Sequence, residues 1–371
     1  MQEKVRKKIL QIGYQSLAKA GIQSVIMNIA RGVYNEFEID VLLTSNKEGY
    51  YDNEYMKYGK IYRINSSLEG YGTIRKYISY VARPFKQFFY AYKLIKVNEY
   101  DIVHIHSGLE GGPMFLAAKF AGVKHIIAHS HNSFSPEKRT IFSKIYRNIS
   151  KRIIHCYATK RIGVSSEANK YLYGDDDCFV IDNPVDIDRF SKSINTRKKG
   201  GIILSNVGRY CYQKNQLFLL EIVKEFLRKD YNVQLKLVGF GEDEKILRKK
   251  TIEYKLEHNV QLIPGNGEVD ISEILKESDV FVFPSRFEGL GIVLIEAQAA
   301  GCLCIASDVV PKETDLGLCE YISLNENVEE WVKRIINMIN KRGEYLLDSE
   351  RIKQYKVEYF QQRILNLYNE L

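Results

Sequence analysis

The sequence predicts an α/β fold, with two doubly wound parallel-sheet domains that face each other across a cleft. Short apolar runs alternate with longer amphipathic stretches along both halves of the chain, a pattern typical of such domains. The 371 residues suffice for two domains that each bury a core. A hydrophobic content of 45% and a charged content of 27% fit a globular protein and exclude collagen-like and disordered classes.

Short apolar runs mark the predicted strands. In the first half these are residues 8–12, 39–43, 61–64, 102–105, 125–128 and 161–164, and in the second half 202–207, 234–238, 260–262, 280–283, 302–306 and 320–322. Amphipathic stretches predict helices that include residues 22–34, 73–97, 217–229 and 243–257. Pro84 is expected to interrupt the second of these helices, because proline removes a helix hydrogen bond.

A polar segment at residues 183–200 predicts the boundary between the domains. It begins with Asn-Pro-Val-Asp and continues into a run rich in Ser, Lys and Gly. We therefore expect an N-terminal domain at residues 1–185 and a C-terminal domain at 186–350. Apolar residues at helical spacing in 351–371 predict a terminal helix, which we expect to pack back on the N-terminal domain.

Charge is distributed unevenly along the chain. Residues 1–170 carry 27 Lys and Arg against 13 Asp and Glu, whereas residues 171–371 carry 27 against 33. A basic first half indicates an anionic partner, which could be nucleic acid, a membrane or a phosphorylated acceptor. No zinc-finger spacing or RNA-binding aromatic signature accompanies the charge, so we expect no nucleic acid and favour an anionic membrane surface.

The cysteines and the apolar runs predict the compartment. The six cysteines lack paired C-x-x-C spacing, which indicates neither a zinc ribbon nor a disulfide framework. No apolar run reaches the ~18 residues of a membrane span, and the apolar stretch near the N-terminus is too short for a signal peptide. We expect a cytoplasmic protein that is peripheral at the inner face of the cytoplasmic membrane.

One motif combines two carboxylates with a predicted helix start. Residues 283–297 read Phe-Pro-Ser-Arg-Phe-Glu-Gly-Leu-Gly-Ile-Val-Leu-Ile-Glu-Ala, so a strand is followed by a glycine-flanked turn and a helix near Ile292. The unpaired N–H groups of a helix N-terminus suit a phosphate. Glu288 and Glu296 could then bind the hydroxyls of a sugar and of a ribose. The alternative is that Glu288 caps the helix and Glu296 is a surface residue.

A second motif places two cations after a predicted strand. Residues 205–215 read Ser-Asn-Val-Gly-Arg-Tyr-Cys-Tyr-Gln-Lys-Asn, with Arg209 and Lys214 five residues apart around a loop. Arginine offers a fork of donors to phosphate oxygens, and lysine offers a mobile point charge. Two such cations suit the two phosphates of a nucleotide diphosphate without a metal. The alternative is a solvated basic loop.

These motifs resemble those of the retaining family-4 glycosyltransferases, which have the two-domain GT-B fold. The shared spacing is Glu288-x7-Glu296, with Gly208-Arg209-x4-Lys214 upstream. Further similar features run along nearly the whole chain, and they are Gly21 and the segments 101–106, 128–132, 164–168 and 181–190. The segments that start at His129 and at Glu288 are similar to those of bacterial enzymes that build capsule, exopolysaccharide or O-antigen.

The resemblance implies a donor site in which Glu288, His131, Arg209 and Lys214 are catalytic. The two cations would hold the donor diphosphate in place of a metal, so no cofactor is expected. Glu288 would contact the donor sugar, and Glu296 would contact the ribose. The other implied donor-binding residues are Gly21, Asn266, Gly289, Leu290, Gly291, Ile292 and Val293.

The reaction that the resemblance implies moves a sugar from a UDP-hexose or UDP-N-acetylhexosamine to a saccharide carried on a polyprenyl diphosphate. Retention would follow from attack on the same face as the departing phosphate, so no side-chain nucleophile is required. His131 would bond a sugar hydroxyl, with His129 as the second choice. Gln23 stands where the family often has an acidic residue, and the change implies an altered contact near the acceptor.

Two predicted helices could form the membrane surface. Residues 73–97 mix basic and aromatic side chains, and residues 141–153 carry isoleucine at every fourth position. Lys144, Arg147 and Lys151 lie mostly off that isoleucine stripe and could face anionic lipid. For each helix the alternative is that the apolar stripe is core and the cations form a solvated face.

Two further alternatives concern metal binding and catalysis. Five of the seven histidines fall between residues 104 and 131, so a histidine metal site is geometrically possible, although the same loops offer no acidic or cysteine ligand. We expect no metal and interpret these residues as partly buried strand-end histidines. For the whole chain, the alternative to an enzyme is a non-catalytic GT-B subunit that binds nucleotide or membrane and supports a partner transferase.

Overall fold

A computed structural model describes residues 6–13, 15–18, 20–64, 73–132, 141–174, 178–191, 200–265 and 269–371. The chain divides into two compact units. Unit 1 consists of Met1–Pro184 together with Val357–Leu371, and unit 2 is Val185–Lys356. The predicted terminal segment is therefore split between the units at Lys356. Much of the predicted linker, residues 192–199, lies outside the described residues.

Unit 1 contains a parallel sheet that has seven strands among the described residues, in the order β3-β2-β1-β4-β5-β6-β7. The strands are β1 (Lys8–Gly13), β2 (Glu38–Leu43), β3 (Ile61–Arg63), β4 (Ile102–Ile105), β5 (His125–Ser130), β6 (Lys160–Gly163) and β7 (Phe179–Val180). The predicted doubly wound sheet is confirmed. Strand β7 was not predicted, because two residues are too few to show a period.

The helices of unit 1 cover this sheet. They are α1 (Gly21–Val33), α2 (Asp52–Tyr55), α3 (Thr73–Asn98), α4 (Gly112–Ala121), α5 (Ile141–Tyr157), α6 (Ser166–Tyr173) and, from the far end of the chain, α13 (Val357–Asn369). Helix α13 packs on α1, where the Gln361 Nε2 donates to the Asn28 carbonyl at 3.2 Å. Its apolar side chains Phe360 and Ile364 are buried in the core of unit 1.

The predicted interruption at Pro84 is wrong. Helix α3 continues through this proline as a single element from Thr73 to Asn98. Proline removes one intrahelical hydrogen bond and usually bends a helix, but packing can compensate for that loss. Helix α3 packs along α4, and Ala91 and Ile95 of its second half are buried in the core.

Unit 2 has a parallel sheet of six strands among the described residues, in the order β10-β9-β8-β11-β12-β13. The strands are β8 (Ile202–Val207), β9 (Val233–Gly239), β10 (Val260–Pro264), β11 (Val280–Phe283), β12 (Leu303–Ser307) and β13 (Cys319–Ile322). The helices are α7 (Ile187–Ser191), α8 (Gln216–Arg228), α9 (Glu244–Glu253), α10 (Ile271–Glu277), α11 (Ile292–Ala299) and α12 (Val328–Asn340). The second predicted doubly wound sheet is also confirmed.

Both sheets have a point at which the strand order reverses. In unit 1 the reversal lies between β1 and β4, and in unit 2 it lies between β8 and β11. Doubly wound sheets bind ligands beyond the carboxyl ends of the strands at such a reversal. Both predicted donor-site motifs follow the strands at the reversal of unit 2. Within the described part of the chain, no helix is both long enough and apolar enough to span a bilayer.

Candidate active site

Two loops of unit 2 form one hydrogen-bonded structure. We call residues 208–215 the β8 loop and residues 284–291 the β11 loop, after the strands that they follow. The Asn215 Nδ2 donates to the Pro284 carbonyl at 3.2 Å, and the Gln213 Nε2 donates to the Phe287 carbonyl at 2.9 Å. The Arg286 guanidinium in turn donates to Asn215 Oδ1 at 2.9 Å. The two motifs, about 75 residues apart in sequence, therefore belong to a single site.

Lys214 and Glu288 meet where the two loops join. The Lys214 Nζ lies 2.6 Å from Glu288 Oε1, and the side chains are only 17% and 6% exposed. The ammonium also lies 4.8 Å from the ring centre of Phe283, at the end of β11. Burial weakens solvent screening, so this pair is held more strongly than a surface ion pair. Lys214 is thereby directed toward the β11 loop.

Arg209 occupies a different environment from Lys214. Its side chain is 68% exposed and pairs with Glu242 Oε2 at 2.9 Å. Exposed ion pairs contribute little to stability because solvent screens them, so this guanidinium can exchange its partner for a phosphate at small cost. The solvated-loop alternative thus describes the position of Arg209 but not that of Lys214.

The N-terminus of α11 lies directly after Glu288. Gly291 precedes the helix with φ of +90°, a left-handed conformation that favours glycine, and a Cβ there would lie 3.2 Å from a Phe283 ring carbon. The first-turn amides of Ile292 and Val293 have no acceptor from the helix's own earlier turn, as in every α-helix. They and the helix dipole favour an anion at this end.

The alternative roles for the two carboxylates do not fit the structure. Gly291 is the residue before α11 and no side chain caps it, whereas Glu288 is buried against Lys214. Glu296 is partly buried on α11. Burial raises its pKa to about 7, and the nearby Arg189 partly opposes that shift. Glu296 is therefore poised to exchange a proton near neutral pH, which a solvated surface carboxylate is not.

Replacing Glu296 with Gln should stabilise unit 2 at pH 8 and have no effect near pH 4. Folding raises the pKa of Glu296 from 4.5 to about 7. Between pH 4.5 and pH 7 the native state therefore keeps a proton that the unfolded state has lost. The stability of the parent protein falls as pH rises through this range. Each pKa unit corresponds to about 1.4 kcal/mol, and partial exposure limits the expected gain to about 1–2 kcal/mol. Urea unfolding followed by fluorescence of Trp331, the chain's one tryptophan, measures it. Equal gains at both pH values would contradict this prediction.

Four histidines meet in unit 1 at the carboxyl ends of β4 and β5. The His104 Nε2 lies 3.2 Å from His129 Nδ1, and the His106 Nδ1 lies 3.0 Å from His131 Nε2. His104, His106 and His129 are buried more deeply than the predicted partial burial, whereas His131 is partly buried as predicted. That burial lowers the pKa of His104 and of His131 to about 3, and it places the pKa of the other two well below the ordinary value. Neutral imidazoles can bond a sugar hydroxyl, but they offer no charge to a phosphate.

The histidine metal alternative meets a geometric difficulty. Ring nitrogens of His104, His106 and His129 lie within 4.8 Å of one another. However, the His104 and His106 rings are stacked with centres 4.2 Å apart and planes 25° apart. The His104 and His129 planes differ by only 15°. The third pair, His106 and His129, is tilted by 41°. Nitrogen lone pairs lie in the ring plane, so the two near-parallel pairs are poorly aimed at one tetrahedral metal.

A cavity of about 150 Å³ lies beside these histidines in unit 1. His106, Ser107, His131, Asn132 and Arg147 are among its lining residues. Two of these lining residues carry buried polar atoms, His131 Nδ1 and Ser107 Oγ, that have no hydrogen-bond partner among the described residues. Because most of its lining residues have polar side chains, the cavity suits a ligand that carries hydroxyl groups.

The predicted membrane-facing cations of α5 lie in different places. The Arg147 guanidinium bonds the Tyr171 hydroxyl and lies at the cavity, and the Lys151 Nζ is 5.5 Å from the Tyr171 ring centre. Of Lys144, Arg147 and Lys151, only Lys144 is exposed and does not pack on the Tyr171 ring. Ile145 and Ile149 are each 51% exposed, so the interpretation of that stripe as core is wrong for these two residues.

The other predicted site residues are placed as follows. Gly21 is the first residue of α1, and a Cβ there would meet no described atom within 4 Å. Gln23 is buried in the same helix. His129 is buried among the histidines, and Asn266 lies outside the described residues. Gly289 and Leu290 lie in the β11 loop, before the helix.

The sequence analysis did not identify the residues that join the loops. These are Gln213, Asn215 and Arg286. Asn215 has φ of +57° and directly precedes α8. Asparagine is one of the few residues that tolerate this left-handed conformation. An asparagine directly before an apolar helix was therefore the sequence signal that could have identified Asn215. The other two are ordinary polar residues whose partners lie far away in sequence.

Comparisons with known proteins agree with these motifs. Residues 20–189 match the family described as Glycosyltransferase Family 4, and residues 186–357 match the family described as Glycosyl transferases group 1. The chain is 30% identical to the capsular polysaccharide biosynthesis glycosyltransferase CapH of Staphylococcus aureus, over 81% of each protein. It is also 30% identical to the UDP-Gal:alpha-D-GlcNAc-diphosphoundecaprenol alpha-1,3-galactosyltransferase of Escherichia coli, over 67% of this chain and 71% of that protein.

Solved structures show the same fold at low sequence identity. HepE of Anabaena in complex with UDP-glucose has a TM-score of 0.78 and 17% identity, with coverage of 98% of this chain and 100% of that one. The lipopolysaccharide outer core galactosyltransferase WaaB has a TM-score of 0.73 and 19% identity, with the same coverage. With two Rossmann-like units, loop motifs at a strand reversal and relatives along most of its length, the chain belongs to the family-4 glycosyltransferases of the GT-B fold.

Proposed function

We propose that this glycosyltransferase is a retaining, metal-independent enzyme of cell-surface polysaccharide biosynthesis. It moves a sugar from a nucleotide diphosphate, a UDP-hexose or UDP-N-acetylhexosamine, to a saccharide carried on a polyprenyl diphosphate. The observation that carries this proposal is the buried Lys214–Glu288 pair beside the N-terminus of α11. The names of the E. coli galactosyltransferase and of the HepE complexes support a UDP donor, and the former supports a lipid-linked acceptor.

The chemistry follows from where charge develops. Breaking the anomeric bond leaves negative charge on the departing phosphate and positive charge on the sugar. Lys214, Arg209 and the first-turn amides of α11 stabilise the phosphate, which is the task that a metal performs in other transferases. Glu288 accepts hydrogen bonds from donor-sugar hydroxyls, and Glu296 does so from the ribose. The phosphate itself takes the acceptor proton, so no side-chain nucleophile takes part.

Nucleotide release by the purified protein tests this function. The assay contains EDTA and compares UDP-Glc, UDP-Gal, UDP-GlcNAc, UDP-GalNAc and GDP-Man, each with and without a lipid-linked acceptor extract. Glu288→Ala should abolish release, whereas Glu326→Ala, which removes an exposed carboxylate from the same unit, should not. Release from one UDP-sugar that the extract stimulates would support the proposal. No release from any donor by folded protein would favour the non-catalytic subunit.

We also propose that unit 1 binds the inner membrane surface through an exposed apolar and basic face. On α5, Ile145 and Ile149 are exposed next to Lys144. On α3 and α4, Phe85, Phe89 and Phe120 are more than half exposed, and Lys86 and Lys93 lie on the same α3 helix. Exposed aliphatic and aromatic side chains beside lysines suit an anionic lipid interface.

Changing the α5 face should weaken vesicle binding at least about tenfold. The variant combines Lys144→Glu with Ile145→Ser and Ile149→Ser, because each interfacial lysine is worth about 1 kcal/mol and each buried isoleucine adds to it. Sedimentation with phosphatidylglycerol vesicles measures the loss.

Unit 2 offers a matched control for this variant. The control variant combines Lys249→Glu with Ile246→Ser and Ile252→Ser. These are the same three exchanges, made at exposed positions along helix α9. This control should bind vesicles as the parent protein does. Equal binding by both variants would contradict the membrane proposal for α5.

A further inference from the structure

Tyr368 reaches the histidines of unit 1 from helix α13. Its hydroxyl lies 2.6 Å from His104 Nδ1, although 264 residues separate the two in sequence. The other ring nitrogen of His104 lies 3.2 Å from His129 Nδ1. Tyr368, His104 and His129 therefore form a continuous hydrogen-bonded row, and all three side chains are fully buried or nearly so.

We infer that Tyr368 is a positioning residue that orders the protons of this row, so that His104 and His129 each carry their hydrogen on Nε2. Among the described residues, His104 Nδ1 is the only hydrogen-bond partner of the Tyr368 hydroxyl. A buried O–H without an acceptor is unfavourable, so the hydroxyl donates and His104 Nδ1 accepts. His104 then donates from Nε2 to His129 Nδ1.

The opposite order leaves more groups unsatisfied. If His104 donated to the tyrosine oxygen, the tyrosine hydrogen would have no acceptor and His129 Nε2 would be left with an unused lone pair. In the order inferred here, the only unused group is the Nε2–H of His129, which has no partner among the described residues. Neither histidine needs a second hydrogen, because burial keeps both rings neutral. The row thus has one favoured arrangement of its protons.

The ordered row supports the histidines at the cavity. His104 stacks on His106 at 4.2 Å between ring centres, and the His129 ring packs against His131 at 4.1 Å with its plane tilted by 31°. His106 and His131 line the cavity, and the rings packed against them at 4.2 and 4.1 Å restrict how far they can turn. Tyr368 thereby fixes the orientation of His131 without touching a substrate. This part of the inference rests on the proposed function together with the role that the family resemblance implies for His131, a hydrogen bond to a sugar hydroxyl.

Histidine nitrogen shifts test the proton order without any substrate. In ¹⁵N-histidine-labelled protein, two-bond proton–nitrogen spectra should show His104 and His129 as Nε2–H tautomers, with His104→Gln and His129→Gln used for assignment. Tyr368→Phe removes the donor to His104 Nδ1 and should convert part or all of His129 to the Nδ1–H tautomer. An Nδ1–H tautomer at His129 in the parent protein, or identical spectra in Tyr368→Phe, would overturn the inference.

Tyr55→Phe is the matched control. Tyr55 is fully buried in the same core and its hydroxyl accepts from the Gln11 Nε2 at 3.2 Å; within the described part of the chain it bonds no histidine. We expect the two variants to lose similar stability, but only Tyr368→Phe to lower kcat, by about three- to tenfold at unchanged donor KM. Equal kcat values for the two variants would overturn the positioning role. If the parent protein lacks transferase activity, the proposed function fails while the tautomer result still decides the proton order.

Discussion

Replacing Lys214 with Met should lower turnover by at least about 100-fold and destabilise unit 2 by about 3–5 kcal/mol. The activity is lost because a preorganised cation at a departing phosphate is worth about 3–4 kcal/mol in the transition state. The stability is lost because the change removes an ammonium 2.6 Å from a carboxylate that is only 6% exposed. Nucleotide release measures the first effect, and urea unfolding followed by Trp331 fluorescence measures the second.

A second variant separates these two effects. Lys214→Met combined with Glu288→Gln removes both charges, so most of the lost stability should return, whereas turnover should not recover because both residues belong to the donor site. Equal stability of the single and double variants would show that the unpaired buried charge of Glu288 does not cause the loss of stability. Retained turnover in Lys214→Met would show that this cation does not act on the phosphate.

Acid should destabilise unit 1 steeply, beginning near pH 6.5. Burial holds the pKa of His104 and His131 at about 3, whereas both would titrate near 6.5 in the unfolded chain. The unfolded state therefore binds more protons between those values, so stability is complete above pH 6.5 and is lost as pH falls toward 3. Each buried histidine contributes a slope of about 1.4 kcal/mol per pH unit in that range.

Substitution of one buried histidine should reduce this slope. His106→Asn keeps a polar atom near the His131 contact but cannot titrate, so protection of the β4 and β5 amides should fall less between pH 6 and pH 4 than in the parent. His258→Asn, at an exposed position in unit 2, should leave the pH dependence unchanged. Hydrogen exchange followed by mass spectrometry measures both, with parent and variant compared at the same pH. Parallel curves for parent and His106→Asn would contradict the prediction.

The strands and the site loops could be predicted because their signals are local. Buried parallel strands such as β11, whose four residues are all apolar, appear as short apolar runs, and every predicted strand lies within two residues of its observed bounds. The β8 and β11 loops were found because Arg209 and Glu288 each adjoin a glycine just after a predicted strand, with Lys214 in the same loop as Arg209. Residue type and spacing sufficed for these features.

The remaining features depend on contacts between distant segments. The pairing of Lys214 with Glu288 and the bond from Tyr368 to His104 join residues 74 and 264 positions apart. The course of α3 through Pro84 depends on its packing against α4, which no local pattern encodes. The isoleucine spacing of α5 indicated a helix face, but only the positions of the neighbouring elements show that Ile145 and Ile149 face outward.

The return of α13 to unit 1 sets an order for folding during synthesis. Unit 2 is a single continuous segment, whereas the core of unit 1 includes residues from both sides of it. Roughly 170 residues must emerge from the ribosome after Pro184 before α13 exists, which takes about 10–30 seconds at usual rates of translation. During that time the face of α1 that later receives α13 is uncovered, and Tyr368 cannot yet donate to His104. A nascent chain at that stage therefore exposes apolar surface that a chaperone can bind, and the histidine row is completed last.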